Sequence, residues 1–246
     1  MLLASISVNA QVTTQSPYSK YGIGNLSGGS LPQFREMGGI STAINKTTGY
    51  DNINIANPAS YAGITLTTID VGMSAGFVNL KKGSESNNSF NSTFSHLALA
   101  FPVSKRSALS FGVLPYSTLG YNFATPGTIS SGSDTGNPSS ATVNNVYTGE
   151  GGITKAYFGY GYRIGDHFRI GANIEYLFGN LIENKDVEFI NDPNALSSRL
   201  QTKNSVGGIS FSYGAQYDIA LDSKTMITLG YSGSSPSSIN STRTFL

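Results

Sequence analysis

The chain has 246 residues, with no cysteine, no tryptophan, 29 glycines and only 12% charged residues. A formal net charge of +1 gives no electrostatic basis for binding nucleic acid, and no run of about 18 apolar residues could cross a membrane as a helix. The aromatic residues, 11% of the chain, are all tyrosine or phenylalanine, which is typical of the aromatic girdles of outer-membrane barrels.

The first ten residues predict the remnant of a secretory signal peptide. Residues 1–10 are apolar and rich in small side chains, and Val8 and Ala10 precede a cleavage site before Gln11. No basic region comes before the apolar stretch, so the interpretation is a signal peptide whose start is missing. A short buried first strand is the alternative.

Residues 11–64 predict a loop-rich hatch or plug. This segment is rich in glycine, asparagine, serine and proline and shows no sustained period of two. One short helix is predicted from Pro32 to Met37, ending at Gly38. Because the segment precedes the first strand, it could fold back into the lumen of a barrel.

Residues 65–246 predict antiparallel β-strands in which apolar and polar residues alternate. Alternation gives each strand one apolar and one polar face. The best example is a hairpin whose arms, 156–164 and 168–178, are joined by the turn Gly165-Asp166-His167. The other alternating stretches are 69–77, 97–103, 109–113, 209–221 and 227–231, and another strand is predicted near Ile239.

The connections alternate in length, as in outer-membrane barrels with short periplasmic turns and long external loops. Short turns are predicted at 104–107, 165–167 and 222–224, and long loops at 82–92, 125–152 and 183–204. The predicted fold is therefore an all-β, antiparallel transmembrane β-barrel of the bacterial outer membrane, with about seven or eight strands present. A soluble β-sandwich or lipocalin-like barrel is the alternative.

The predicted barrel is incomplete. The interior of a small closed barrel is filled by side chains and leaves no room for a plug of about fifty residues. An open sheet would expose unpaired backbone groups to lipid at its edges, which is prohibitive. The prediction is therefore about half of a larger barrel.

Two motifs carry a resemblance to a known family. Asn57-Pro58-Ala59 stands directly before the first strand, and the third strand contains Gly112, Pro115 and Gly120. Together with the central hairpin, these features resemble the FadL/TodX family of outer-membrane transporters for long-chain fatty acids and other hydrophobic compounds. The resemblance implies a barrel of fourteen strands, of which about half is present.

The resemblance also implies roles for these residues. Asn57, Pro58 and Ala59 would join the hatch to the barrel, whereas Gly112, Pro115 and Gly120 would kink the third strand into a lateral opening for a hydrophobic small molecule. A proline cannot donate to a strand ladder, so Pro115 predicts a bulge or break. The alternatives are an ordinary strand end at the membrane rim and, for Asn57-Pro58, a plain turn.

Catalysis finds little support in the sequence. His167 falls in a short turn, and His96 has no acidic partner in local spacing. Asp51, Asp70, Glu175 and Asp218 are predicted to be luminal or plug charges paired with lysine or arginine. The sequence indicates no catalytic residue, no metal site and no cofactor, and predicts that the protein is not an enzyme.

The first functional prediction is passive uptake of hydrophobic molecules, with membrane lipid and a fatty-acid-like ligand as partners. The alternative is a structural or partner-binding barrel subunit of an envelope secretion or assembly complex, with envelope proteins as partners. A membrane-embedded enzyme is a third hypothesis without a visible set of catalytic residues. An apolar lumen would favour uptake, and a polar, fully occupied lumen would favour the alternative.

Overall fold

A computed structural model describes most of the chain, and the predicted signal-peptide remnant at 1–10 lies outside the described residues. The described residues are 16–44, 46–47, 50–131, 139–190, 197–222, 225–236 and 238–246.

The described part of the chain is dominated by long strands. The short elements come first: 3-10 helices Pro17–Lys20 and Pro58–Gly63, helix α1 Pro32–Glu36, and strands β1 Asn25–Leu26, β2 Lys46–Thr47 and β3 Tyr50–Asp51. The long strands are β4 Thr68–Lys82, β5 Glu85–Ser104, β6 Ser107–Ser131, β7 Ser139–Ile164, β8 Phe168–Phe189, β9 Ser198–Ala220, β10 Met226–Ser234 and β11 Ser238–Phe245. Among these residues no helix is long and apolar enough to cross a membrane.

The long strands form one antiparallel sheet in which each strand from β4 to β10 pairs with the next along the chain. The sheet is curled into a half-barrel, so the all-β antiparallel prediction is confirmed. Strand β10 pairs with Ser212–Ala220 of β9, and β11 pairs with Thr202–Ile209 of the same strand. The strand predicted near Ile239 therefore continues along the β9 edge that β10 occupies and adds no further width.

The strands run well beyond their predicted ends. The stretches predicted as long loops at 82–92, 125–152 and 183–204 are mostly strand, and β4 turns into β5 through only Gly83 and Ser84. The prediction was wrong here because polar residues occupy both faces, so the ladder continues where alternation in hydropathy ends. The short turns after β5 and β7 are present as predicted.

The two faces of the sheet differ as the alternation predicts. On β8, the even-numbered residues from Phe168 to Phe178 are exposed, whereas Arg169, Asn173 and Glu175 are buried. We call these the outer and inner faces. The register places Ile174 of the outer face directly opposite Phe158 of β7 and Phe211 of β9, so the apolar residues form one continuous surface across neighbouring strands.

The buried core lies between the inner face and residues 31–64. It contains Leu31, Phe34, Ile53, Ile55, Tyr61 and Ile64 from this segment and Ala98, Ala100, Ala108, Leu114 and Tyr157 from the sheet. The predicted short helix is confirmed as α1, which ends before Gly38, a residue with a φ of 75° that favours glycine. The segment thus packs on the inner face through loops and short helical turns.

Candidate functional site

Three glycines on neighbouring strands form a shallow row on the inner face. Gly161, Gly171 and Gly214 lie directly opposite one another in the register of β7, β8 and β9. A Cβ on Gly171 would lie 2.3 Å from the carbonyl carbon and oxygen of Pro58, and one on Gly161 would lie 2.8 Å from the Ala62 nitrogen. The backbone of the second 3-10 helix therefore lies against this glycine row, and no larger side chain fits beneath it.

Asn57 attaches the second 3-10 helix to the sheet. Its side chain is fully buried. Its Nδ2 donates to the backbone oxygens of Thr42 (2.6 Å), Tyr231 (3.3 Å) and Ala215 (3.4 Å), and its Oδ1 accepts from the Ala59 nitrogen (3.1 Å). A buried amide with both ends satisfied joins its neighbours into one unit. Asn57 therefore links the chain before β4 to β9 and β10; its role in a plug stays a prediction.

Other buried amides add to this attachment. Asn173 on β8 donates to the Ile55 oxygen at 3.3 Å and to Ser212 Oγ at 3.0 Å. Gln216 on β9 donates to the Thr42 oxygen at 3.0 Å. The sequence did not predict either contact, since the only signal of these two residues was a polar side chain on the inner face.

The inner face also carries ion pairs. Arg169 of β8 pairs with Asp218 of β9, and Lys155 Nζ lies 3.3 Å from Glu175 Oε1. Glu175 and Asp218 are thus paired with lysine and arginine, as predicted. His96, which has no acidic partner in local spacing, has one across the sheet, because strand pairing brings Asp70 Oδ1 on β4 to 2.9 Å from its Nε2. That aspartate also accepts from Gln33 Nε2 of α1 at 3.0 Å.

Tyr61 lies at the centre of the packed segment and is fully buried. Burial raises the pKa of its phenol well above the ordinary value, and the neighbouring Tyr157 adds to the shift. The phenol is therefore neutral at physiological pH and acts as a packing group.

A cavity of about 420 Å³ remains between the segment and the wall. Most of its side chains are polar, and Glu175 Oε1 accepts from Ser212 Oγ at 2.9 Å inside it. The polar residues that line it are Ser30, Lys155, Glu175, Ser210, Ser212, Ser232, Ser234 and Ser235. Sites for apolar ligands are lined mainly by apolar side chains, so this mostly polar lining does not suit a fatty acid.

Of the predicted kink residues, Pro115 lies at the edge of the apolar outer surface. Pro115 pairs with Thr154, which pairs with Phe178, the last residue of the apolar stretch on β8. The register of β6 and β7 shifts between Pro115 and Ser117. Gly112 lies where a Cβ would be 2.3 Å from the Leu97 oxygen, so it allows close approach of β5. The lateral opening itself stays a prediction.

Gly120, the third of these residues, binds the N-terminal segment. Ser19 Oγ donates to the Gly120 oxygen at 3.1 Å and accepts from its nitrogen at 3.2 Å. Strand β1 pairs with Ser117 and Thr118 immediately before it. Beyond the bulge, β6 is therefore paired with residues that precede the sheet in sequence.

Replacing Asn57 with alanine is expected to loosen the segment on the glycine row. The change removes the amide that donates to the Thr42 and Tyr231 carbonyls and leaves the buried Ala59 N–H without its side-chain acceptor, which costs about 2 kcal/mol. Amide hydrogen exchange of residues 53–64 should accelerate by more than about tenfold, since 1.4 kcal/mol corresponds to a factor of ten. The exposed Asn240→Ala is the control; equal exchange in both variants would contradict the role of the buried amide.

Comparison with protein families gives an assignment that differs from the resemblance drawn from the motifs. The BamG family model matches residues 1–245. No curated protein and no solved structure matches the chain. The match overturns the FadL/TodX assignment and with it the prediction of fatty-acid uptake, because the family is related to outer-membrane assembly. The family match agrees with a location in the bacterial envelope.

Proposed function

Because the chain belongs to the BamG family, we propose that it is a membrane-embedded, partner-binding β-barrel subunit of the Bam complex of the bacterial envelope. The sequence left this function open as the alternative to uptake. The family match, which covers almost the whole chain, favours it over transport. The inner and outer faces of the sheet supply the physical support.

The outer face supports the membrane part of the proposal. From Phe168 to Phe178 every even-numbered residue of β8 is apolar and exposed. Ten residue intervals measure about 33 Å along a strand, or about 25 Å of height at a tilt near 40°. That height matches the apolar band of an outer-membrane barrel. In water, an apolar surface of this extent would be an aggregation liability.

The observation that carries the partner-binding role is the occupied, polar inner face. The segment containing Asn57 and Pro58 lies directly on the glycine row, and the remaining cavity carries Lys155, Glu175 and several serines. A transporter of apolar molecules needs an apolar path through its lumen. A partner-binding subunit of a complex needs no such path.

The strands also offer surface outside the membrane. Beyond Phe178, β8 continues from Gly179 to Phe189, about 36 Å of further strand. Its outer positions there include Asn180, Asn184 and Asp186, in contrast to the apolar band. These extensions provide a polar sheet on which envelope partners could dock.

Depletion of the chain from its host cell tests this function. We expect the amounts of other β-barrel proteins in the outer membrane to fall, because an assembly complex would lack a subunit. Uptake of long-chain fatty acids should change no more than general envelope damage explains, as judged against a polar solute. Unchanged barrel proteins together with a selective loss of fatty-acid uptake would contradict the proposal.

A further inference from the structure

We propose that the free edge of β5, from Ser86 to Ser95, accepts an extended segment of an envelope partner, which adds to the sheet as a strand. The inference rests on the proposed function and names the chemistry of the partner. The segment would be largely uncharged, with apolar residues at alternate positions.

Strands β5 and β6 separate within the sheet. Their ladder runs from Ser104 and Ser107 to Leu97 and Val113, and no further pair follows. Beyond this point β5 pairs only with β4, as far as Glu85 opposite Lys82. Within the described ranges, no strand pairs with the other edge of β5 from Ser86 to Ser95. Because this edge lies between consecutive strands, strands added at the ends of the sheet would not cover it.

The gap between the separated parts of β5 and β6 already holds one extended segment, β1. On the β6 side, β1 pairs with Ser117 and Thr118. The Ser27 nitrogen donates to the Tyr116 oxygen at 2.9 Å, and the Ser16 nitrogen donates to the Gly120 oxygen at 3.2 Å. The chain thus uses strand addition to cover the β6 edge, and the β5 edge across the gap offers the same kind of backbone groups.

The β5 edge lacks the features that normally protect an edge strand. Natural proteins discourage edge pairing with charged residues, especially lysine, or with proline. Residues 86–95 contain no charged residue and no proline. By contrast, β4 at the end of the sheet carries Asp70, Lys81 and Lys82. Strand β10, Met226–Ser234 at the other end of the sheet, also lacks charge and proline, so the β5 edge is distinguished by its place inside the gap.

The outer side of this hairpin presents apolar side chains for a partner to cover. Phe77 lies opposite Phe90, with ring centroids 5.1 Å apart, and Met73 lies opposite Phe94. Phe77 is 87% exposed and Met73 is 77% exposed. A two-stranded hairpin is marginal on its own, so a third strand with alternate apolar residues would both extend the ladder and cover this patch.

The position of the edge favours a polypeptide over lipid as its occupant. The β5–β6 ladder ends near Pro115, at the level of Phe178 and the end of the apolar band. The outer face beside the free edge is apolar again, with Met73, Phe77 and Phe90 exposed, and lipid there could not pair with the backbone groups of the edge. Inside hydrocarbon these groups would have to be satisfied within the protein.

Site-directed cross-linking tests the inference, because the chain has no natural cysteine. The variants Asn88→Cys and Ser92→Cys in the full chain carry a thiol-linked photoreactive group in native envelopes. Both positions are exposed. We expect them to label one partner segment at sites about four residues apart, since paired strands advance equally. Asn180→Cys, on β8 between two paired neighbours, is the control and should not label that segment.

Other labelling patterns would overturn the inference. These are labels scattered over a folded surface, labels on residues 1–15 of the chain itself, labels on a second copy, and no label. If the chain still co-purifies with the assembly complex in these cases, only the inference fails. If it co-purifies with no envelope protein, the proposed function fails as well.

Hydrogen exchange provides a second measurement without substitutions. In the purified chain, amides of residues 86–95 that do not pair with β4 should exchange fast. In the complex, these amides should exchange at least about tenfold more slowly, as expected when strand pairing protects them. Equal exchange in both samples would contradict strand addition.

Discussion

Lysine in place of Ile174 is expected to prevent stable insertion of the protein into the membrane. Ile174 is exposed on the outer face, midway between Phe168 and Phe178. A lysine at the middle of the apolar band of a barrel costs about 3 kcal/mol. In fractionated cells the variant should be depleted from the membrane fraction and degraded or aggregated.

A matched substitution separates this effect from a general loss of stability. Asn180 lies on the same face of β8, just beyond Phe178, and is exposed. Asn180→Lys should leave the protein in the membrane, since a charge beyond the band costs about 0–1 kcal/mol. Normal insertion of Ile174→Lys, or equal loss of both variants, would contradict a membrane-facing outer surface.

Valine in place of Gly171 is expected to displace the segment from the glycine row. Its Cβ would lie 2.3 Å from the backbone of Pro58, and backbone cannot rotate away as a long side chain could. Overpacking of this kind costs about 3 kcal/mol. Amides in residues 53–64 should then exchange about a hundredfold faster, because each 1.4 kcal/mol is a factor of ten.

Gly207→Ala is the control for a lost glycine in the same sheet. Its Cβ would have only the Tyr176 hydroxyl within 4 Å, at 3.8 Å. In this variant, the amides of residues 53–64 should exchange at the same rate as in the unchanged protein. A Gly171→Val protein whose residues 53–64 stay protected would show that the segment does not depend on the glycine row.

The alternation of residues was sufficient to predict both faces of the sheet. Residues 168–178 alternate so regularly that the exposed and buried positions follow directly. The glycine row could not be found this way, because its three members become neighbours only through the register of β7, β8 and β9. The same holds for the partner that His96 finds on β4.

The motifs that carried the family resemblance have physical roles in this sheet. Asn57 ties a preceding segment to the wall, and the ladder shifts beside Pro115. Neither feature specifies a ligand, since any barrel with an occupied inner face and an interrupted strand can use them. Function follows from the site and not from the fold, and here the site is polar.

Affinity purification of the tagged full-length chain, read out by native mass spectrometry, tests the central claim most directly. From envelopes dissolved in a mild detergent, the chain should emerge in a fixed ratio with outer-membrane assembly proteins and without a bound fatty acid. A chain that emerges free of protein partners and carries a long-chain fatty acid would contradict the account.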